Sequence, residues 1–407
     1  MIRLNRINLI EKKCVDILKV ALVSAFLEDD VYEHILDEKF MEEVICNEDH
    51  IYHRIARSLS NINIEPIVFM MSQKKDVRKF THKYGHTIMR IPALRIPFIH
   101  EPIVYSSHLI NYLKKDFDIC HFVGGYYVMY KIPDMFDYTV MKLHNRVPIV
   151  ARWAGGNHKW LWPIRKSIKK MSLQRCDKIT CSGKEEIKIL KTKFQIPADR
   201  ISYLLNPMDL QRFQIRDRNK IAEKLKERSE FRYVLYVGRL VKNKGLEELL
   251  DVFKNLNEKF PDVKLIIIGD GSLYDEILSY IKQNNFEDSI FLKGRLSHDL
   301  ISYYYNISDV LIMNVLSGSL ANVIIEAIAS GLPIVASDIG TYKEFVDEKK
   351  GTGVLIKPGN KKELYDGIVK ILENKKAFSK NNRNLVKEFS YENFSKNILN
   401  IYEEITK

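Results

Sequence analysis

The stretch that most narrows the folds open to this chain runs from Ser317 to Gly340, SGSLANVIIEAIASGLPIVASDIG. Small, turn-prone residues open it. Ala321 to Ala329 then form a helix-compatible run, Gly331 and Pro333 halt that run, and Ile334-Val335-Ala336 resumes as a buried strand. The preceding run, DVLIMNV, reads as another strand. A helix beginning near Leu320 would therefore turn its unpaired backbone N–H groups and positive dipole end towards whatever lies beyond that strand, a setting that suits an anion. Glu326, inside the helix, is placed to accept hydrogen bonds from sugar or ribose hydroxyls. An ordinary strand–helix unit with a surface carboxylate shows the same local pattern.

The alternation extends along the whole chain. In the first half KVALVSAF, EPIVFMMS, YGHTIMRIP, FDICHFVGG, VPIVARWAGG and DKITCS read as strands, with HIYHRIARSL and EEIKILKTKF among the intervening helices. Two of these strands end in paired glycines, Gly124-Gly125 and Gly155-Gly156, which let backbone approach a ligand at the carboxyl edge of a parallel sheet. After the turn at Asn206-Pro207 the plan repeats. RYVLYVGRL, KLIIIGDG, SIFLKG, DVLIMNV, LPIVASD and GVLIK are strands, and GLEELLDVFKNLNEKF lines Leu246, Leu249, Leu250, Phe253, Leu256 and Phe260 along one helical stripe. Strands separated by helices imply doubly wound α/β sheets. With 407 residues, more than one core of ordinary size is expected. The expected division is residues 1–210, residues 211–390, and a terminal amphipathic helix over 391–407 that packs away from the second domain.

Composition bounds the function class. No run approaches the roughly 18 apolar residues of a membrane span, and the first twenty residues mix charge with apolar side chains, so a cytoplasmic protein is expected. The five cysteines, Cys14, Cys46, Cys120, Cys176 and Cys181, are odd in number and lack CxxC spacing, which indicates neither a disulfide framework nor a zinc site. Lys plus Arg exceeds Asp plus Glu by 64 − 52 = 12, a balance that favours polyanionic partners. Nucleic acid is one such partner, but no recognition module for it is present.

Three features of the second half converge on one sheet edge. VGRLVKNKG sets Gly238, Arg239 and Lys244 just beyond a strand; a guanidinium fork and a mobile ammonium together can neutralise a diphosphate, though the same spacing also occurs as solvated surface cations. IIGDGSLYDEI places Asp270 and Gly271 at another strand end, where a base or ribose can come close. The third feature is the helix carrying Glu326.

These residues reach a family. VGRLVKNKG, KLIIIGDG, FLKGRL and NVIIEAIASGLPIVASDIGTYKEFV stand in the order and spacing of the retaining family 4 glycosyltransferases of the GT-B fold, and the chain resembles that family most strongly from Tyr233 to Asn360. The resemblance implies two Rossmann-like domains facing across a cleft, and transfer of a sugar from a nucleoside diphosphate donor to a glycan or lipid-linked acceptor. It also implies retention at the anomeric carbon, no cofactor, and no metal in the site. By the resemblance, Arg239 and Lys244 hold the diphosphate, Glu326 holds the ribose, the backbone amides of Asn322 and Val323 meet sugar and phosphate oxygens, and the Lys293-Gly294-Arg295 loop receives the base. The loop Gly318-Ser319-Leu320-Ala321 borders the donor, and Gly155, Gly156 and His158 lie on the acceptor side.

Two departures from the pattern stand out. The family's first glutamate would fall at Gly318, and its N-domain histidine is out of register, His158 standing several residues beyond the strand. They leave open a catalytically impaired, sugar-nucleotide-binding subunit, with an epimerase of the same fold as a further alternative. Residues 159–178, seven cations against one acid beside Trp160 and Trp162, suit either a solvated helix face or contact with an anionic membrane surface at its inner side.

Overall fold

The computed structural model describes residues 17–27, 50–96, 103–123, 135–153, 163–316, 322–378 and 383–407. The chain divides into two compact units, one of residues 1–208 with 389–407 and one of residues 209–388. Both are α/β.

The second unit is built on six strands: β11 (Arg232–Val237), β12 (Val263–Ile268), β13 (Ile290–Gly294), β14 (Val310–Met313), β15 (Ile334–Ser337) and β16 (Gly353–Ile356). They are parallel throughout and ordered β13-β12-β11-β14-β15-β16. Such strands are covered on both faces and so read as unbroken apolar runs rather than alternating ones; VLIM and IVAS are buried at every position. From β11 the chain steps outward to β12 and β13, then returns to the other side of β11 as β14. The crevice between the carboxyl ends of β11 and β14 is thus the point where strand order reverses, the place where open α/β sheets receive ligands. The helix Leu246–Lys259 follows β11 and buries Leu246, Leu249, Leu250, Phe253 and Leu256 against the sheet core.

The first unit carries an eight-stranded sheet among its described residues. Its strands are β1 (Leu18–Leu27), β2 (Ile64–Ser72), β3 (Arg78–Thr81), β4 (Thr87–Pro92), β7 (Ile119–Phe122), β8 (Ile149–Trp153), β9 (Lys178–Cys181) and β10 (Ile201–Tyr203). The order is β10-β9-β8-β7-β1-β2-β4-β3, and β3 runs antiparallel to β4 at the edge. A separate two-stranded ribbon joins β5 (Leu94–Ile96) to β6 (Ile103–Tyr105). Strand order reverses here at β1 and β7. The glycines after β7 and β8, Gly124, Gly125, Gly155 and Gly156, lie outside the described residues, as does His158.

The terminal helix Tyr391–Thr406 belongs to the first unit. Phe394, Ile398, Ile401 and Tyr402 join Val20, Leu22, Ile55 and Val68 in one core, and the Ser395 hydroxyl donates to the Ser58 carbonyl at 2.7 Å. In the basic segment the helix Pro163–Gln174 spends part of its charge inside the fold: Lys169 is 2% exposed and pairs with buried Asp137 at 2.6 Å. Lys178, at the start of β9, meets Glu404 of the terminal helix at 2.5 Å. Cys120, Cys176 and Cys181 are buried thiols, and burial pushes the first two well above the usual thiol range.

His121 of β7 is buried against the Tyr402 hydroxyl, ring nitrogen to oxygen 2.8 Å. Burial, and then the nearby Arg152 charge, lower its pKa from 6.5 to about 3. The unfolded chain therefore takes up a proton near pH 6.5 that the folded chain refuses until about pH 3. The stability this represents is complete above the upper value and is lost as the pH falls through that window, at up to about 1.4 kcal/mol per pH unit. Denaturant unfolding measured from pH 7 to pH 4 should show this acid limb, to which buried His86, lowered likewise to about 3, also contributes, and His121→Gln should make it shallower; an unchanged slope in the variant would refute the assignment.

Candidate functional site

At the carboxyl ends of β11, β12 and β13 the backbone closes on itself. Gly238 donates to the Ile268 carbonyl at 3.0 Å, Leu240 donates to that of Asp270 at 2.9 Å, and Gly269 to that of Gly294 at 2.9 Å. The strand-end residues Gly238, Asp270 and Gly294 are thereby tied into one layer, and Gly271 lies so close to it that a β-carbon would sit 2.5 Å from the Leu240 carbonyl oxygen. Gly269 permits this contact: with φ +146°, a β-carbon there would sit 1.8 Å from the Gly238 carbonyl oxygen. The Tyr236 hydroxyl, buried beneath the loop, donates to the Arg239 carbonyl at 2.9 Å and fixes the turn from which the guanidinium leaves.

Across the switch point the loop after β11 meets the loop after β14. Leu316 donates to the Asn243 carbonyl at 3.1 Å, and Gly245, φ +69°, presses so close that a β-carbon would lie 1.8 Å from the Asn314 carbonyl oxygen. Gly245 also starts the helix Leu246–Lys259. One glycine therefore sets the loop path, the helix start and the approach of the two strand ends.

On this platform stand two cations. Arg239 is exposed and Lys244 partly buried, and no carboxylate among the described residues is paired with either. Burial lowers the Lys244 pKa, and the Arg239 charge lowers it further. Desolvation and a like charge both disfavour the ammonium, and an anion set between the two cations would relieve the second effect directly. The structure brings this pair together.

The remaining candidates divide. Asn322 and Val323 are the first two residues of the helix Asn322–Ala329, while Gly318, Ser319, Leu320 and Ala321 lie outside the described residues. Glu326 is on the buried side of that helix, 4% exposed, and accepts a 2.8 Å hydrogen bond from the Tyr305 hydroxyl. Burial, and then the Glu326 carboxylate, hold that phenol well above its usual range, so it stays a donor. Lys293 is drawn sideways, its ammonium 2.7 Å from Glu227, whose carboxylate also accepts from Tyr304. Arg295 is exposed and Gly294 has φ +66°. The residues that sequence reasoning did not single out are Tyr236, Tyr305 and Asn314. Tyr305 and Asn314 act on positions far along the chain, a relation no local spacing encodes, and Tyr236 acts on its own loop three residues on. Asn314 is 1% exposed, and its side-chain nitrogen, close to Gly245, has no hydrogen-bond partner among the described residues.

Replacing Gly245 tests how far the platform depends on this contact. Left-handed backbone strain costs on the order of 1–3 kcal/mol, and the overlap with Asn314 adds to it. Gly245→Ala should therefore destabilise the second unit by more than Gly359→Ala, where φ is +74° but the nearest atom, on Leu316, would be 3.5 Å away. Thermal unfolding of the two variants measures the difference, and equal losses would discount the contact.

Residues 217–390 match the family model for group 1 glycosyl transferases, and residues 50–212 match that for glycosyltransferase family 4. An uncharacterized glycosyltransferase of Haemophilus influenzae is 29% identical over 215 residues, 53% of this chain and 57% of that protein. The N-acetylgalactosamine-N,N'-diacetylbacillosaminyl-diphospho-undecaprenol 4-alpha-N-acetylgalactosaminyltransferase of Campylobacter jejuni is 28% identical over 215 residues, 52% of this chain and 55% of that one. The chain spans about half the length of the curated relatives it matches. Its fold is similar to that of HepE of Anabaena, solved in complex with UDP, with a TM-score of 0.72 at 14% identity over 95% of this chain and 100% of that one. Two family models matched in chain order on the two α/β units, together with a shared architecture over nearly the whole length, make this chain a family 4 glycosyltransferase of the GT-B fold.

Proposed function

We propose that the chain transfers a sugar, with retention, from a nucleoside diphosphate donor to a glycan or lipid-linked acceptor in surface-glycan synthesis. The observation that carries this reading is the coupling of Arg239 and Lys244 at the switch point with no carboxylate paired to either among the described residues. A leaving nucleoside diphosphate gains negative charge as the glycosidic bond breaks, and preorganised cations stabilise charge where it develops. The guanidinium offers a fork to two oxygens and the ammonium a point charge, a role that a metal ion fills in other sites.

Other residues take supporting parts in this reading. The amides of Asn322 and Val323, at the positive end of their helix, meet donor oxygens, with the loop Gly318 to Ala321 beside them. Glu326, oriented by Tyr305, accepts from the donor ribose. With the Lys293 ammonium committed to Glu227, the base rests against the backbone of Gly294 and the Arg295 side chain. Gly155, Gly156 and His158 serve the acceptor. The Campylobacter relative, named for a diphospho-undecaprenol acceptor, supports a lipid-linked acceptor here. No helix among the described residues is long and apolar enough to cross a membrane, so contact with the inner membrane face would fall to exposed cations of the basic segment such as Lys166.

The test is nucleoside diphosphate release by the full chain with UDP-, GDP- and ADP-sugars and candidate acceptors, with the anomeric configuration of the product read by NMR. Loss of a hydrogen bond to a charged group is worth about 1.5–3 kcal/mol, so Arg239→Ala and Lys244→Ala should each weaken nucleotide binding roughly 10- to 100-fold. Each should lower turnover by about 10²–10³. Donor binding without turnover under any pairing would favour a binding subunit. Unchanged nucleotide affinity in both variants would overturn the assignment of the pair.

A further inference from the structure

Three imidazoles meet in the first unit, apart from the switch-point site. His53 lies in the helix Ile51–Ser60, His82 follows β3, and His86 precedes β4. The turn between the last two is closed by the backbone: His82 donates to the His86 carbonyl at 2.9 Å and Gly85, φ +85°, donates to that of His82 at 2.8 Å. The hairpin thus delivers two histidines four residues apart onto a third from the helix. All three are buried, at 0%, 1% and 3% exposure. One nitrogen from each lies within 4.8 Å of the others, and His53 Nδ1 is 2.9 Å from His86 Nε2.

Histidine is seldom concentrated in this way in a core, since each ring brings two polar nitrogens that need partners. Here His86 Nδ1 is buried with no partner among the described residues, a condition that folded proteins rarely leave without an ion or a water. Imidazole donors at about 2.0–2.1 Å from a tetrahedral ion stand roughly 3.4 Å apart, inside the 4.8 Å within which the three ring nitrogens here lie. His82 stacks on both of its partners, with centroids 4.4 and 4.3 Å apart, and its Nδ1 accepts from the Tyr84 backbone N–H at 3.2 Å.

We propose that His53, His82 and His86 hold one divalent first-row transition-metal ion of the Zn²⁺ type, in a structural site that fastens the β3–β4 hairpin to the helix Ile51–Ser60. Three nitrogen donors with no carboxylate suit Zn²⁺, Co²⁺, Ni²⁺ or Cu²⁺ and not Mg²⁺ or Ca²⁺. A fourth position remains for water or another ligand. β3 is the edge of its sheet, so the hairpin has a neighbouring strand on one side only, and a cross-link there adds what the missing strand does not supply. Beside the cluster, Arg57 lies over the rings of Tyr84 and Tyr391 at 4.3 and 4.6 Å, so the same fastening bears on the terminal helix.

The full chain without a histidine tag, stripped with chelator and desalted, is titrated with Co²⁺ and then Zn²⁺. One equivalent of Co²⁺ should bind with the visible d–d absorption of a low-coordinate nitrogen site, Zn²⁺ should displace it, and Zn²⁺ should raise the thermal midpoint. His82→Gln and His86→Gln should each weaken binding at least about tenfold, with far-UV circular dichroism confirming that each variant is folded. If a variant does not fold, the wild-type cobalt titration decides alone. Absence of saturable one-equivalent binding in the wild type, or affinity unchanged in a folded His82→Gln chain, overturns the site and leaves the three rings as packing.

Discussion

Two like charges set side by side without an acid are an unfavourable arrangement, and the second unit is built so that they cannot move apart freely. Arg239 leaves a loop whose carbonyl is held by the Tyr236 hydroxyl, and Lys244 precedes a glycine locked against Asn314. The ammonium is partly withdrawn from water, which lowers its pKa, and the neighbouring guanidinium lowers it again. What this loop gives up in stability, a bound polyanion restores. On the proposed function, that coupling favours a diphosphate over a neutral sugar.

The rigidity behind the cations is backbone rather than side chain. At the ends of β11, β12 and β14, peptide groups bond directly across strand ends, and the contacts at Gly269 and Gly245 leave no room for a β-carbon. Side chains could bridge wider gaps, but each would bring rotamer freedom with it. Peptide-to-peptide closure places loop atoms with the precision of the sheet itself. It is available where strand order reverses because two loops there leave neighbouring strands in different directions.

Much of this was legible in the sequence. Buried parallel strands announce themselves as apolar runs ended by glycine, which is why VGRLVKNKG and KLIIIGDG located the platform. The helical stripe from Leu246 to Leu256 is buried as the periodicity required. What the sequence did not show are relations between distant positions. The Lys293 ammonium belongs to Glu227, and the Glu326 carboxylate to Tyr305, neither pair being near in the chain. Short exposed strands such as RKFT of β3 carry too little apolar pattern to be read. Lys169 looked like one more cation in a basic run until the fold placed it beside Asp137. The cysteine spacing indicated no metal site, whereas HKYGH, with its two histidines around a tight turn, is completed only by His53 from another element.

The two units use burial of nitrogen bases to opposite ends. In the first, three imidazoles are enclosed together with no carboxylate in the cluster, rings that burial favours in their neutral, lone-pair form. In the second, one of the two nitrogens belongs to arginine, which does not release its proton in a folded protein. Lys244 is therefore kept beside a permanent positive charge and only partly enclosed, and its pKa is lowered by burial and then by that charge. The same physical term, the cost of a charge removed from water, thus yields electron-pair donors suited to a cation in one place and a cationic cradle suited to an anion in the other. Which outcome results is set by depth of burial and by the neighbour: stacked rings that can all become neutral, or a guanidinium that cannot.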